Sequence, residues 1–368
     1  MLKSLKIQNF RCFEEFDLPQ LGRVNLLVGK NNSGKTSILE AIHILNSPNK
    51  IKPFLDIIEC RGESLPNEKD GNISGNFFEF RHFVSGHLME HTSSFNIRGM
   101  TDTDKNTKFS FCLKDIQLQK ESRKERRDNK HVNFSYVDFE RYSRTSYILN
   151  WEDTDNTEYE LFLPVKTPAD SLRVSVLEES INSRLVSLNL SEANTIFSEF
   201  NQIVLTPQEE TLYESLRIIE PGIERIAIVG NSMSQQNTNG SFVISINKQR
   251  VPIGSMGYGI WRMLEITLAM VNIPGGTLLI DEIDTGLHFS VMIDLWKLIC
   301  KTAEKLDIQV FATTHNSDCW KSLAEVANSD DIASDDITIH RIERGKKQSI
   351  VFNEQEMAIA AERDIEVR

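Results

Sequence analysis

Apolar runs alternate with helix-like patterns in the first and last parts of the chain. Three nearly continuous apolar runs are typical of buried parallel strands. They occupy Val24–Val28, Thr277–Ile280 and Gln309–Thr314. Apolar residues at helical spacing predict one helix that ends near Asn46 and two more over 260–270 and 290–305. Because strands and helices alternate, we expect an α/β fold with a parallel or mixed core sheet.

Between these parts the pattern changes to short aromatic and β-branched runs. Such runs extend from about 77 to 165 and predict an antiparallel β subdomain. The runs at 146–151 and 159–163 are separated by turn residues, so we expect them to form a hairpin. The segments 11–22 and 47–75 are rich in turn residues or charges and are expected to be a turn region and a loop.

A helical insertion follows the predicted β subdomain. From 169 to 219 apolar residues recur at helical spacing, and no heptad is sustained long enough for a coiled-coil arm. Thr206 and Glu209 stand where a capped helix start places its N-cap and its capping glutamate. A strand pair at 225–229 and 241–246 leads back into the alternating pattern.

We therefore expect a single domain whose parts are separated in sequence. A phosphate-loop part is followed by a β-rich part, then by a helical insertion with the strand pair, and last by a lobe that carries the remaining motifs. Their boundaries are 1–46, 47–168, 169–249 and 250–368.

Composition excludes several classes of protein. The chain has 368 residues, 40% of them hydrophobic, and a net charge of −12, so it lacks a protein-wide electrostatic footprint for nucleic acid. Five cysteines form no CxxC pair, which favours neither a zinc site nor a disulfide framework. No segment approaches eighteen uninterrupted apolar residues, and the N-terminus lacks the apolar core of a signal peptide. We expect a cytoplasmic protein without a membrane segment.

The segment GKNNSGKT, residues 29–36, lies between the first buried strand and its helix. Gly29 and Gly34 allow a tight turn that directs backbone N–H groups to one point at the start of the helix. Lys35 can reach the β and γ phosphates of a nucleotide, and the Thr36 hydroxyl can hold Mg²⁺. The pattern GxxxxGK[ST] between strand and helix predicts a phosphate loop.

Two later strands end in polar residues suited to phosphate chemistry. Asp281 and Glu282 follow the strand that ends at Ile280, so Asp281 is expected to hold Mg²⁺ with Thr36. Glu282 can position or deprotonate the attacking water. His315 ends the next strand and can donate a hydrogen bond to the γ phosphate or the water.

A third motif, IGSMGYG, precedes the helix predicted over 260–270. Glycines before a helix create an anion site from backbone N–H groups, with Ser255 as an additional donor. Taken alone, this motif is equally compatible with a glycine-rich helix entry.

The order of these motifs resembles the ATP-binding-cassette (ABC) ATPases. The openings LKIQNFRCF and VNLLVGKNNSGKTSILEAI are similar to the DNA-associated branch, which contains the SMC proteins, RecF, and the OLD-family and related AAA ATPases of anti-phage systems. LLIDEIDTGLH and VFATTHNSD resemble the OLD-type members most. The resemblance covers 1–46 and 250–320 closely.

The resemblance implies a P-loop head that works as a homodimer or higher oligomer around ATP and Mg²⁺. Ser255 and Gly257 would contact the γ phosphate bound by the partner's phosphate loop. His288 stands where related heads have an interface residue, and Tyr258 replaces the usual Gln, Glu or Asp, which leaves the hydrolysis rate open. Arg11 matches an arginine near the nucleotide, although a surface arginine in a turn is the alternative. The predicted nucleotide-binding residues are Gly29, Asn31, Asn32, Ser33, Gly34, Lys35, Thr36, Ser37 and Arg11.

OLD nucleases carry a Toprim nuclease domain, and this sequence shows none. About fifty residues follow His315, without a separate set of strand-end carboxylates. We expect an ATPase that regulates a separate effector protein, in anti-phage defence or DNA maintenance. The charge run at 120–130 mixes signs and favours a solvated loop, but dimerisation could assemble a local basic groove from it, so DNA is a second candidate partner. A transporter nucleotide-binding subunit and a non-hydrolysing ATP-gated scaffold remain alternatives.

Overall fold

The structure is a computed structural model, and it describes most of the chain. The described residues are 1–47, 51–69, 72–78, 80–87, 93–102, 106–115, 145–152, 158–164, 182–187, 193–230, 240–329, 337–363 and 366–367. The charged run at 120–130 lies outside these residues, as does most of the predicted insertion before residue 182.

The chain forms two compact units, each assembled from separate stretches of sequence. The first contains Met1–Gln20, Thr36–Ser180 and Arg344–Ser349. The second contains Leu21–Lys35, Ile181–Glu343 and Ile350–Arg368. The boundary therefore falls inside the predicted phosphate loop, between Lys35 and Thr36.

A six-stranded antiparallel sheet forms the centre of the first unit. Its strands are β1 (Leu2–Phe10), β2 (Phe13–Leu18), β6 (Ser94–Thr101), β7 (Asn106–Asp115), β8 (Thr145–Glu152) and β9 (Glu158–Pro164). They lie in the order β2-β1-β6-β7-β8-β9. A separate hairpin contains β4 (Ser64–Lys69) and β5 (Asn72–Phe78). The predicted hairpin is confirmed, because β8 and β9 pair antiparallel.

Two expectations for this unit were wrong. The segment 11–22 contains strand β2, where Phe13, Phe16 and Leu18 are buried beside more exposed charged residues. Its charges suggested a turn, yet they alternate with the apolar residues as in a half-buried strand. The segment 47–75 contains helix α2 (Lys52–Arg61), whose Pro53 lies in the first helical turn, where proline is tolerated.

Phenylalanine rings fill the core of the first unit. Phe54 of α2 lies with its ring centroid 4.9 Å from that of Phe83, and Phe95 stacks on Phe111 at 5.1 Å. These rings, together with Phe10, are fully buried. The helix α1 (Lys35–Asn46) begins at the end of the phosphate loop, and its apolar residues, including Ile38 and Ile42, are buried.

The open edge of β2 is paired with a short segment from the far end of the chain. The N–H of Asp17 donates to the carbonyl of Lys347 at 2.9 Å, and the N–H of Ser349 donates to the carbonyl of Asp17 at 3.1 Å. The ammonium of Lys347 also lies 3.1 Å from a carboxylate oxygen of Glu15. This segment extends the sheet by a single bridge between Asp17 and Gln348.

A mixed sheet forms the centre of the second unit. Its order is β10-β14-β15-β3-β16-β17, and every neighbouring pair is parallel except β16 with β17. The strands are β3 (Val24–Val28), β10 (Ser183–Val186), β14 (Thr277–Ile280), β15 (Gln309–Thr314), β16 (Ile337–Arg341) and β17 (Ile350–Phe352). The predicted parallel arrangement is confirmed. The expectation that 169–219 is helical was wrong at β10, which pairs with β14 at one edge of this sheet.

Helices and a second small sheet complete this unit. The helices are α3 (Ala193–Ile203), α4 (Pro207–Leu216), α5 (Tyr258–Val271), α6 (Met292–Leu306), α7 (Ser317–Ala327) and α8 (Glu354–Glu362). The predicted strand pair is confirmed as β11 (Ile223–Gly230) and β12 (Gly240–Ile246), and β13 (Gln249–Pro252) extends it. One apolar core joins α3, α4 and α5 to the mixed sheet. Among the described residues, no helix is long and apolar enough to cross a membrane.

The start of α4 does not use the predicted capping pattern. Thr206 is the N-cap residue, but its side chain makes no cap hydrogen bond and donates instead to the carbonyl of Ile203. Glu209 accepts from the N–H of Leu205 at 2.7 Å. The N–H of Thr206 also donates to the carbonyl of Ile203, at 3.0 Å, so Thr206 closes the connection from α3.

A buried polar network crosses from β3 to β16. The Asn25 amide accepts from the N–H of Gly22 and from the Thr338 hydroxyl, both at 2.8 Å. The one proton of that hydroxyl is thereby used, so at 3.1 Å the Nε2 of His340 is the donor to Thr338. His340 is fully buried, and burial lowers its pKa from 6.5 to about 4. The folded protein therefore keeps this imidazole neutral.

We expect His340 to make the fold sensitive to acid. As pH falls from 6.5 toward 4, the unfolded chain binds a proton that the native state excludes, so the free energy of unfolding decreases. The loss is at most about 3 kcal/mol, and stability is fully retained above the unfolded pKa. Urea unfolding at about pH 7 and pH 5 measures it. His340→Gln should lose less stability on acidification than the wild type, and equal losses would contradict the prediction.

Candidate nucleotide-binding site

Three adjacent parallel strands deliver the predicted site residues to one edge of the mixed sheet. The order is β14, β15, β3, with Ile280 paired to Ala312 and Thr314 paired to Val28. The carboxylate pair follows β14, His315 follows β15, and the phosphate loop follows β3. Parallel strands end at the same edge, so these groups emerge together.

The phosphate loop turns sharply where its first glycine leaves β3. Gly29 has φ 148°, and a Cβ built there would lie 2.4 Å from the carbonyl oxygen of Ile342. Any other residue would displace the neighbouring strand end. Asn32 also has a positive φ of 61°, so the loop curls back on itself. Lys30, Asn31 and Asn32 are exposed on the loop, and Ser33 is buried.

Lys35 folds back over this loop. Its ammonium donates to the carbonyls of Gly29 at 2.7 Å and Lys30 at 3.0 Å. Burial lowers the pKa of Lys35, and the carboxylates of Asp281, Glu282 and Asp284 act in the opposite direction. The ammonium is thus held close to the carboxylate pair, in a pocket of backbone oxygens.

The loop fits an anionic phosphate. The Ser33 hydroxyl is buried and has no hydrogen-bond partner within the described part of the chain. An unpaired buried hydroxyl is costly, and a phosphate oxygen would satisfy it. Thr36 and Ser37 begin the helix that follows, and the Cys12 thiol lies 4.0 Å from the Ser37 hydroxyl. The predicted nucleotide contacts of Asn31, Asn32, Ser33, Gly34, Thr36 and Ser37 stay predictions.

The carboxylate pair is fixed by a threonine on the neighbouring strand. The Thr313 hydroxyl donates to Oδ1 of Asp281 at 2.6 Å and accepts from the N–H of Glu282 at 2.8 Å. Glu282 has a positive φ of 46°, an unusual conformation for a glutamate. Asp281 is buried and offers hard oxygen ligands of the kind that Mg²⁺ prefers.

Glu282 and His315 lie close together, as their strand-end positions predict. Nδ1 of His315 is 3.8 Å from Oε1 of Glu282, and both side chains are partly exposed. The Thr285 hydroxyl donates to the other carboxylate oxygen at 3.3 Å. A carboxylate and an imidazole therefore face solvent side by side, beside the ammonium of Lys35.

The serine–glycine turn (residues 253–257) is also in the second unit. Ile253–Met256 form a short 3-10 turn, and Gly257, with φ 87°, is the N-cap residue of α5. The N-cap residue is a glycine and has no side chain to cap the helix, which suits an acceptor at its first N–H groups. Ser255 and Gly257 are exposed. Their predicted contact with a partner's nucleotide stays a prediction.

Arg11 lies in a buried ionic network in the first unit. Its Nε donates to Glu40 at 2.9 Å, and its two Nη groups donate to the carboxylate oxygens of Glu63 at 2.6 and 3.0 Å. It also donates to the carbonyl of His82 and lies over the ring of Phe83 at 4.2 Å. Its role in nucleotide binding stays a prediction, and the geometry shows a structural role.

We expect Glu40→Ala to destabilise the first unit strongly. Glu40 is fully buried between Arg11 and Arg61; burial raises its pKa, and the two guanidinium groups oppose that shift. Removing one partner of a buried pair typically costs about 3–5 kcal/mol, because charge is left without compensation. Urea unfolding measures the loss, with Glu59→Ala on exposed α2 surface as the control. A loss below about 1 kcal/mol would contradict a buried network.

His288 lies at the end of the DTGLH segment, beyond Glu282. Its Nδ1 accepts from the N–H of Ser290 at 3.3 Å and lies 2.8 Å from the Ser290 hydroxyl. His288 therefore caps the short turn at Phe289–Val291. Phe289 is 63% exposed and packs against the imidazole with centroids 4.2 Å apart. The predicted role of His288 at the dimer interface stays a prediction.

Two residues that support the site were not predicted from the sequence. Thr313 is a polar residue in a fully buried strand, but Gln309 and Thr314 of the same strand are also polar, so the sequence did not single it out. Arg262 lies in the buried face of α5 and donates to the carbonyl of Asp281 at 3.2 Å. A charged residue in the middle of an apolar helix was the only sign of it.

The fold and the site together define the class of protein. A mixed, mostly parallel sheet carries a phosphate loop, a carboxylate pair and a histidine at one edge, and a serine–glycine turn opens a buried helix. These are the parts of a P-loop ATPase of the ABC type. Residues 24–318 match the family described as "AAA domain, putative AbiEii toxin, Type IV TA system", and the chain belongs to that family.

Curated relatives agree with this assignment. An "ATP/GTP phosphatase" of Helicobacter pylori is 23% identical over 90% of both chains. A "DNA replication and repair protein RecF" of Streptococcus gordonii is 22% identical over 88% of this chain and 95% of its own. An "OLD nuclease" of Thermus scotoductus is 53% identical over 45 residues, which are 12% of this chain and 8% of its own. The resemblance to the SMC, RecF and OLD-like branch and the expected fold class are confirmed.

Proposed function

We propose that this chain hydrolyses ATP with Mg²⁺ and works as a homodimer closed by the nucleotide. The observation that carries the proposal is the group formed by Lys35, Asp281, Glu282 and His315 at one sheet edge, next to the phosphate loop. A sheet edge with only a structural role would not be expected to carry an ammonium, two carboxylates and an imidazole beside a phosphate loop.

Each residue has a role in phosphoryl transfer to water. Lys35 would release its loop carbonyls and bind the β and γ phosphates. Thr36 and Asp281 would hold Mg²⁺, which, when bound, neutralises charge on the phosphate oxygens. Glu282 takes a proton from the attacking water, and His315 donates a hydrogen bond at the γ phosphate. No covalent intermediate is required.

Exposed features of the second unit support dimerisation. Ser255 and Gly257 are exposed, and α5 begins at a glycine that offers no capping side chain, which suits an anion brought by another molecule. Tyr258 and Phe289 are 38% and 63% exposed, in a chain whose other large apolar residues are mostly buried. Aromatic residues of this kind are enriched at protein interfaces. In the dimer, the turn of one protomer closes on the nucleotide of the other.

We further propose that the ATP-driven dimer regulates a separate effector protein, in anti-phage defence or DNA maintenance. The family description names a toxin of a toxin–antitoxin system, and the relatives' names include a nuclease and a DNA repair protein. The net charge of −12 suits a protein partner better than bare DNA, which remains the second candidate.

Mixing two inactive variants tests the shared site. Lys35→Ala removes the phosphate-loop ammonium, and Ser255→Arg blocks the turn. In a mixed dimer, the intact loop of one protomer meets the intact turn of the other. Random mixing would therefore restore activity up to about a quarter of the wild-type value. Each variant alone should be nearly inactive.

The outcomes separate the competing functions. Recovery on mixing supports the shared site. If Ser255→Arg alone keeps wild-type activity and mixing adds nothing, each protomer works alone and the dimer proposal fails. If the wild-type protein binds ATP and changes mass in solution without releasing phosphate, it is an ATP-gated scaffold. Copurification with a membrane subunit would favour a transporter.

A further inference from the structure

Helix α5 lies on the segment that follows the carboxylate pair in the same protomer. A Cβ built on Gly286, which has φ 74°, would lie 2.3 Å from Cδ1 and Cε1 of Tyr258, so the ring lies directly against this glycine. A Cβ on Gly259 would lie 3.4 Å from a methyl group of Leu287. The first turn of α5, which begins one residue after the serine–glycine turn ends, therefore packs on Gly286 and on the side chain of Leu287.

One helical turn further along, Arg262 makes a second connection. Tyr258 and Arg262 are four residues apart and so share a face of the helix. The guanidinium is 1% exposed; it donates to Glu265 at 2.9 Å and to the carbonyls of Ser187 and Asp281, each at 3.2 Å. Its Nε has no hydrogen-bond partner among the residues described here.

Arg262 and Thr313 hold opposite ends of one peptide group. Arg262 donates to the C=O of Asp281, and Thr313 accepts from the N–H of Glu282. These are the two polar ends of the peptide bond that joins Asp281 to Glu282. Rotation of this peptide plane would change ψ of Asp281 and φ of Glu282, and hence the direction of both carboxylates. Its orientation is therefore set jointly by β15 and by α5.

We propose that Arg262 and Tyr258 are positioning residues that make the carboxylates of one site respond to the nucleotide of the other. An anion bound at the serine–glycine turn attracts the first N–H groups of α5, a helix whose residues are mostly buried. Tyr258 and Arg262 move with it and adjust the 281–282 peptide. The partner's ATP thus prepares Asp281 and Glu282 for hydrolysis of this protomer's own ATP. The inference rests on the proposed dimeric ATPase.

The test compares how phosphate release depends on ATP concentration. The protein is assayed at concentrations that keep it dimeric without ATP, so that dimerisation does not itself add cooperativity. Wild-type protein should then show a Hill coefficient above 1, because each site prepares the other. The double variant R262M/E265M replaces the buried pair with apolar side chains, a change that folds well in other proteins. We expect its Hill coefficient to fall to 1 and its kcat to fall about 10- to 100-fold, with the affinity for a non-hydrolysable ATP analogue nearly unchanged.

Further variants keep the test decisive if the double variant does not fold. Tyr258→Ala removes the ring from Gly286 and should also abolish cooperativity, whereas Tyr258→Phe keeps the ring and should restore it. Thr267→Val is the matched control, since Thr267 is buried on the same helix and donates only to the carbonyl of Met263 at 2.7 Å. Thr267→Val should keep the wild-type Hill coefficient. If loss of cooperativity came from a general loosening of α5, this variant would lose it too.

The results distinguish this inference from the proposed function. The one intact site of a mixed dimer lacks the partner's ATP, so the coupling predicts a recovery well below a quarter of the wild-type activity. If mixing restores a full quarter, or restores activity while wild-type hydrolysis has a Hill coefficient of 1, the coupling is wrong and the dimeric ATPase stands. If the folded R262M/E265M protein, or Tyr258→Ala, remains fully cooperative with unchanged kcat, the coupling is again wrong. Absence of both hydrolysis and recovery on mixing would refute the proposed function itself.

Discussion

Glu282→Gln is expected to lower the kcat for ATP hydrolysis by about 10²- to 10⁴-fold while ATP binding persists. Gln keeps the shape of the side chain and its hydrogen bond from Thr285, but it cannot accept a proton from water. Nothing in the phosphate loop changes. Because the product state is not reached, ATP should hold the variant in its closed, dimeric form.

Phosphate release and the mass in solution, with and without ATP and Mg²⁺, measure both effects. Glu304→Gln serves as the control, because Glu304 is an exposed glutamate on α6, away from the sheet edge. A variant that releases phosphate at the wild-type rate would show that Glu282 is not the base. His315, 3.8 Å from Glu282, would then be the residue to test next.

Lys35→Ala is expected to weaken ATP binding by about 10²- to 10³-fold, with a parallel loss of hydrolysis. The ammonium supplies charge-assisted hydrogen bonds, and it also offsets the carboxylates of Asp281, Glu282 and Asp284. Without it, an incoming triphosphate would meet these three carboxylates without the ammonium that offsets them. The loss should therefore exceed that of a single neutral hydrogen bond.

Titration with a fluorescent ATP analogue measures the affinity. Lys30→Ala is a closely matched control, because Lys30 is a lysine of the same loop whose side chain is exposed. We expect it to change the affinity by less than about threefold, as for an exposed charge. Equal losses for Lys30→Ala and Lys35→Ala would mean that overall loop charge, and not the position of Lys35, binds the phosphates.

The parts of the site that depend on local sequence patterns could be predicted closely. Val24–Val28, Thr277–Ile280 and Gln309–Thr314 are strands with the expected bounds, because a strand buried on both faces is a continuous apolar run. The positions of Lys35, the carboxylate pair and His315 followed from those strand ends. Their roles in catalysis remain predictions.

The parts that depend on distant partners could not be predicted. Arg262 is separated by nineteen residues from the carbonyl that it contacts, and no local pattern indicates which backbone group a buried guanidinium will meet. Strand β2 looked like a turn because its charges dominate six residues, and α2 looked like a loop because proline and polar residues surround its apolar positions. In each case, burial against other elements outweighs local composition.

The pairing of 347–349 with β2 covers a sheet edge through which the protein could otherwise aggregate. An outermost strand with unpaired N–H and C=O groups is a template for strands of other molecules. Here the backbone of Asp17 is already bonded on that side, and Lys347 adds a charge beside Glu15. This short stretch therefore protects against edge-to-edge pairing with the sheet of another molecule. A variant lacking it would be prone to form fibrous aggregates at high concentration.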